Sequence, residues 1–444
     1  MAEFGLVDKA ASLFERSSGC VLHRDPTLGK CKVLPLGRWR QTLQQEDIGF
    51  PYLQLCSSLS MVGVELTASW QSTRKLNNDE IQERVQSRLA SWKSGKFLPL
   101  ICRPFSINTY CLSKVWFRTS CVDLRVLDIT AITSKVKSYC YQDLFQKPSE
   151  ILLYRRVHEG GLGLYHLKCK AQAHLISTFL QTASGMKFQQ SLFHFWLYQY
   201  HVEGRHELPD PGYTPYYDKE FFKQIKDVKD KSPLNPLYMS VKEWYRLLLE
   251  KYVTMREVDD EGRRELIPCK IEERDPHRGW MDSYRTARLP GLSPDNKSFM
   301  FRLLHTLLPS RERLHHLTPT ASPLCWCRER VPETYNHLFF TCQHNRDAAQ
   351  SLLRCIQSYQ EDLTEEKVLR LELTADDPFR LPSAALLAVG LEYIWERRKQ
   401  KKSTRPYEMR TELELAVTIR RKASSRRILE SAEIMHNMLI NFFD

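Results

Sequence analysis

SPLCWCRERVPETYNHLFFTCQHN, residues 322–345, carries the sharpest chemistry in this 444-residue chain. Cys325, Cys327, His337 and Cys342 offer three thiolates and one imidazole, the donor set of a closed structural zinc site. Pro323 and Pro332 shape a loop ahead of a helical or knuckle-like segment from Tyr335 to Cys342, and the four residues between His337 and Cys342 let both face inward across a turn. Only Trp326 separates the first two cysteines, a tighter spacing than the usual two or more. Buried free thiols beside a hydrogen-bonded core histidine are the competing reading, and His344 and Cys355 are reserve ligands. In a small module such a metal contributes about 10 kcal/mol or more to folding.

Working outward, helix dominates. Ile81, Val85 and Leu89 recur at helical spacing ahead of Trp92, with Asn78 as the expected N-cap. Pro99 and Pro104 bracket the entry to a second helix through Ile107, Cys111, Leu112 and Val115, and a third runs through Ile132, Val136 and Tyr139. Further helices are expected over Ala171–Leu180, Trp244–Tyr252, Phe299–Leu308, Ala384–Trp395 and Met409–Phe442. EGGLGL (159–164) reads as a flexible corner, with a phosphate cradle as the weaker alternative because it matches no Walker or Rossmann spacing. Residues 203–240, rich in Pro, Tyr and charge, read as a surface connector. The first fifty residues are short extended segments with turns. The expected fold class is mostly α with a small β portion at the N-terminus, helical segments through the rest of the chain, and a small zinc knuckle.

A net charge of +12 and a pI near 9.0 favour polyanionic partners, since each phosphate neutralised releases condensed counterion. Thirteen scattered cysteines and a start without a signal-peptide pattern point to a reducing, intracellular setting, nuclear or cytoplasmic. No stretch is long and apolar enough for a membrane span, so no membrane partner is expected. Arg74, Lys75, Arg84, Arg88, Lys93, Lys96 and Arg103 lie among Trp70, Trp92 and Phe97, a mixture suited to tracking a phosphate backbone. A second basic run includes Arg397, Arg398, Lys399, Lys401, Lys402, Arg405, Arg420, Arg421, Lys422, Arg426 and Arg427. It reads as a footprint for RNA or DNA, a nuclear localisation signal or a solvated helix face.

Several stretches, in order, resemble the polymerase of non-LTR (LINE-type) retrotransposons. FERSSGCVLHRDPTLGKCKVLPLGRW (14–39) is similar to the segment after the catalytic hairpin of the palm, with Ser18, Gly19, Lys30, Leu36, Gly37 and Trp39 at its recurrent positions. MVGVEL (61–66) is similar to the next palm strand, and RLASWKSGKFLPLICRPFSINTYCLSKVWFR (88–118) to the thumb, with Trp92, Arg103, Asn108 and Trp116. EGGLGL, KSFMFRLLHTLLPSRERLHH (297–316) and PETYNHLFFTC (332–342) resemble the zinc-binding region beyond the thumb. The likeness runs over roughly residues 12–345 and favours zinc despite the C-x-C spacing.

That resemblance implies a C-terminal part of a reverse transcriptase that binds template RNA or target DNA. The family's paired metal-binding carboxylates precede the Ser-Gly turn, where only seventeen residues stand, so no polymerase activity is expected. Asp259-Asp260 and Asp376-Asp377 read as polar loop residues rather than substitutes. Expected domains are a palm remnant (1–70), a thumb-like segment (71–150), a helical connector (151–318), a zinc knuckle (319–350) and a basic helical tail (351–444). Palm-facing Val33, Leu34, Val62 and Val64 are expected to leave apolar surface, which predicts partial disorder or self-association. The alternative function is a domesticated or degenerate element fragment serving as a protein-interaction scaffold.

Overall fold

A computed structural model of the chain describes residues 2–18, 24–25, 31–35, 42–92, 98–142, 144–183, 238–256, 278–373, 378–440 and 442. Lys93, Lys96, Phe97, the pairs Asp259-Asp260 and Asp376-Asp377, residues 203–237 and the palm-like Gly19, Lys30, Leu36, Gly37 and Trp39 lie outside them. The fold is mostly helical, and among the described residues strands occur only between Cys31 and Thr67. No described helix is long and apolar enough to cross a membrane.

One compact unit joins Met1–Trp92, Thr109–Val136 and His166–Tyr252. Cys31–Val33 pairs in parallel with Leu53–Leu55, and Ser58–Met61 pairs antiparallel with Val64–Thr67. The hairpin turn has Val62 at φ 51 and Gly63 at φ 83, the two positive values of a tight primed turn. Glycine meets that demand, whereas a β-branched valine is strained there. Val64 is buried and Val62 stands exposed at the tip, so these two expected palm-facing residues do not share an environment.

The helix after the hairpin, Trp70–Ser91, begins behind Ser69, so Asn78 lies inside it instead of capping it. Asn77 and Asn78 are buried because their carboxamides satisfy other backbone groups. Asn77 accepts from Glu65 N (3.0 Å) and donates to Glu65 O (2.6 Å), while Asn78 donates to Asp123 O (3.0 Å) and accepts from Arg125 N (3.3 Å). Ile81 and Val85 form the expected apolar face. Elsewhere in this unit, Leu167–Ala183 and Val241–Arg256 share a core around Ile176, Phe179 and Trp244.

The other unit joins Lys93–Asn108, Lys137–Tyr165 and Val253–Asp444. Its centre is the Arg380–Lys399 helix, buried on nearly all sides from Leu381 to Trp395. Pro294–Leu304, Arg346–Gln357, Pro406–Arg421 and Arg426–Ile440 pack around it. The helix expected over Met409–Phe442 is instead two, Pro406–Arg421 and Arg426–Ile440. One straight helix of that length would leave either Met409, Leu413 and Val417 or Met435, Met438 and Phe442 without a partner, and folding back buries both sets.

A candidate metal centre and its basic surroundings

Leu324 and Pro332 form an antiparallel bridge, closed by Cys325 N donating to Val331 O (2.8 Å) and Glu333 N donating to Pro323 O (2.9 Å). The chain bends at Trp326 and Cys327, and Arg330 takes a left-handed φ of 51 to return it. That bend lets cysteines separated by one residue face the same point. The other two ligands come from His337–Thr341, a π-helical turn ending on Cys342, whose N–H donates to His337 O (2.7 Å). In an α-helix, at about 100° per residue, residues five apart would diverge by about 140°. The i to i+5 closure of a π turn brings them to one side. Leu338, Phe339 and Phe340, all buried in the helical core, hold the turn from behind.

One donor atom from each of Cys325, Cys327, His337 and Cys342 lies within 4.8 Å of every other. Cys325 Sγ is 3.9 Å from Cys342 Sγ, and Cys327 Sγ is 3.5 Å from His337 Nε2. Tetrahedral zinc with ordinary bond lengths has S···S edges of about 3.8 Å and S···N edges of about 3.5 Å, so the residues fit that ion. The sulfur separation is far beyond a disulfide's roughly 2.05 Å. Opposite His337 Nε2, Nδ1 lies 3.2 Å from Thr341 Oγ1, a hydroxyl that accepts from Nδ1–H in the tautomer whose Nε2 is free to ligate and so orients the ring. The Cys325–Cys342 hydrogen bond pushes the Cys325 thiol up and pulls the Cys342 thiol down. Both reserve ligands stand outside the cluster. His344 stacks on Trp326 (3.9 Å between centroids, 10° between planes), and the Cys355 thiol donates to Met438 O (2.9 Å).

The knuckle is fastened to its neighbours by polar contacts. Glu333, fully buried, pairs with Arg398 and accepts from Arg311 N (3.0 Å), while Arg311 Nη1 donates to Leu324 O (3.0 Å). His344 Nδ1 lies 2.7 Å from Ser403 Oγ, and Thr404 N donates to His344 O (2.8 Å). The turn carrying exposed Lys401 and Lys402 is thereby joined to the knuckle, whose Arg328 and Arg330 are also exposed.

The predicted nucleic-acid residues divide by environment. Arg103 is corrected to a structural role: it is buried, and its guanidinium donates to Leu98 O (3.0 Å), Cys140 O (3.1 Å) and Gln142 O, filling carbonyls at the end of the Val126–Cys140 helix. Arg398 is likewise committed to Glu333. Arg397 donates to Ser403 O (2.7 Å) and Glu408 (2.9 Å), and Arg74 pairs with buried Asp123 at 2.5 Å. Arg84 pairs with Glu80, Lys399 with Glu396 (2.6 Å), and Arg421 with both oxygens of Glu433 (3.0 Å each) at the surface. Arg420 is half-buried, which pulls its pKa down. Lys75, Arg88, Lys401, Lys402 and Lys422 are exposed. Lys75 and Arg84, nine residues apart on one helix, project about 180° from each other, so the thumb-like cations form no single stripe.

EGGLGL is a packing corner rather than a phosphate cradle. Its N–H groups at Gly161, Leu162, Gly163 and Leu164 donate to Arg156, Leu152, Arg155 and Leu153 carbonyls. A Cβ on Gly161 would stand 2.0 Å from Arg155 O. Sequence reading missed Thr341, detectable as the hydroxyl one helical turn beyond His337, and the Trp326–His344 stack, which no local pattern encodes. No curated protein matches the chain. Residues 280–348 match the family described as zinc-binding in reverse transcriptase, and that span contains all four clustered ligands and the helix leading to them.

Proposed function

We propose that the chain is the nucleic-acid-binding C-terminal portion of a non-LTR retrotransposon polymerase, holding template RNA or target DNA without itself carrying the polymerisation step. The observation that carries this reading is the joining of two distant basic segments at the zinc module. Arg328 and Arg330 of the knuckle and Lys401 and Lys402 of the turn at Ser403 flank the partly buried Trp326–His344 stack. Cations that track phosphates beside an aromatic surface suit RNA or single-stranded DNA. Four protein ligands close the metal's coordination, so zinc there is structural and supplies no reaction. The scaffold alternative lacks a comparable observation.

The test measures metal content and binding of a structured RNA on one purified sample, at low and moderate salt, with and without a zinc chelator. One zinc per chain, with an affinity that falls steeply with salt and is lost on chelation, is expected. Absence of binding at low salt removes the reading, and primer extension by the chain alone removes the non-catalytic assignment.

A further inference from the structure

A second cationic site lies on the Pro294–Leu304 helix, away from the knuckle ligands. Lys297 and Phe301 are one turn apart and share a helix face, and the Arg288 guanidinium sits 5.5 Å from the Phe301 ring centroid. Arg288 Nη2 also donates to Gly161 O (3.2 Å), which leaves most of its fork uncommitted. Both cations are half-buried. Arg288 acts electrostatically on Lys297, and both act on the Cys102 thiol. Asp295 faces Cys102, but among the described residues no carboxylate pairs with Arg288 or Lys297. Arg302, one turn beyond Ser298 on the same helix, differs in having Glu392 and Glu396 nearby.

Burial pulls the pKa of both groups down, so the fold holds two like charges together against desolvation and mutual repulsion. Arg288 keeps its Gly161 and Phe301 contacts, but holding a second cation beside it costs the folded chain electrostatically, and such local costs concentrate where a ligand supplies the missing charge. We propose that Arg288 and Lys297 bind a backbone phosphate of the nucleic acid, as a contact separate from the knuckle surface. This inference rests on the nucleic-acid-binding reading above. A guanidinium fork fixed over an aromatic ring suits two phosphate oxygens, and the neighbouring ammonium adds a point charge.

The test titrates a fluorescent single-stranded oligonucleotide into zinc-loaded wild type, Lys297→Gln, Lys297→Arg and Lys401→Gln/Lys402→Gln across a salt series. Lys297→Gln is expected to weaken binding about threefold or more and to make the salt slope shallower by about 0.7, the value of one phosphate on a single strand. Lys297→Arg restores both, and the melting temperature of free Lys297→Gln stays at or above that of wild type. Unchanged affinity and slope in Lys297→Gln, with wild type binding and the Lys401/Lys402 variant impaired, overturns this inference alone. A wild type that binds nothing at low salt overturns the functional reading beneath it. A Lys297→Gln protein that melts lower while binding normally assigns the lysine to the fold and also overturns the proposal.

Discussion

Arg398 belongs to the basic run that the sequence offers as a nucleic-acid footprint, yet its guanidinium pairs with Glu333, whose side chain is fully buried beneath the knuckle. Arg398→Met would leave that carboxylate inside with only the Arg311 N–H at 3.0 Å. Removing one partner of a buried pair costs about 3–5 kcal/mol. Domains are commonly stable by about 5–15 kcal/mol, so the substitution removes a large share of this unit's stability. Glu333→Gln keeps an acceptor for Arg311 N and loses only the charge-assisted part, about 1.5–3 kcal/mol. The double variant buries no unpaired charge, so it should be more stable than the two single losses predict, with a coupling of about 2 kcal/mol. Urea unfolding of the zinc-loaded protein, followed by tryptophan fluorescence, reads all three, and oligonucleotide binding is measured well below the unfolding midpoint. An Arg398→Met protein with an unchanged midpoint and weaker nucleic-acid binding would refute the argument and return Arg398 to the interface.

Thr341→Val removes the hydroxyl that orients His337 Nδ1, and zinc affinity, measured by competition with a chromophoric chelator, should fall about 10–100-fold; unchanged affinity removes the orienting role. Gly161→Ala places a methyl against the Arg155 carbonyl and should cost about 1–3 kcal/mol in urea unfolding, whereas a neutral outcome would show that the corner relaxes. Val62→Asn relieves a left-handed valine at an exposed turn and should stabilise the hairpin by about 1 kcal/mol, seen as slower amide exchange across Ser58–Thr67. Burial holds the His305 pKa down to about 4 against the ordinary histidine value of 6.5, while its Nε2–H donates to Gly160 O at 2.8 Å. Because the folded pKa is the lower one, the unfolded chain binds more protons between these values. Stability therefore falls as pH drops from 6.5 towards 4, by at most about 3 kcal/mol. His305→Gln, which keeps a donor for Gly160, should flatten that slope in zinc-loaded protein, and an equally steep slope would locate the pH dependence elsewhere.

The legible parts of the sequence were those whose physics is local. Apolar periodicity located most helices, and donor chemistry picked out the Cys and His residues that cluster. The C-x-C spacing looked unfavourable because sequence does not display the bend at Trp326 and Cys327. The π turn was hidden as well, since HLFFT has the same residue count whether it closes four or five residues back. Asn78 read as a cap because a cap and an interior backbone bridge use the same carboxamide. Basic residues were the least legible: Arg103 found carbonyls at Cys140 and Gln142, and Arg398 found Glu333, partners far away in sequence. An arginine's identity shows charge, whereas its use depends on the nearest acceptor in space.

The two halves of the knuckle are held unequally, which determines what a metal does there. The His337–Cys342 side is fixed without metal: Leu338, Phe339 and Phe340 are buried in the main core, each contributing about 1.5–3 kcal/mol of apolar burial. The Cys325–Cys327 side is a short bridged loop with a small apolar cluster of its own thiols and Trp326, fastened by a few backbone bonds and Arg311. Joining the sides through four ligands therefore fixes the loop more than it fixes the helix. That loop carries Trp326 and Arg328, and it meets His344, whose other contacts reach the turn bearing Lys401 and Lys402. Metal binding consequently organises the proposed nucleic-acid surface from one side while the Arg380–Lys399 helix organises it from the other.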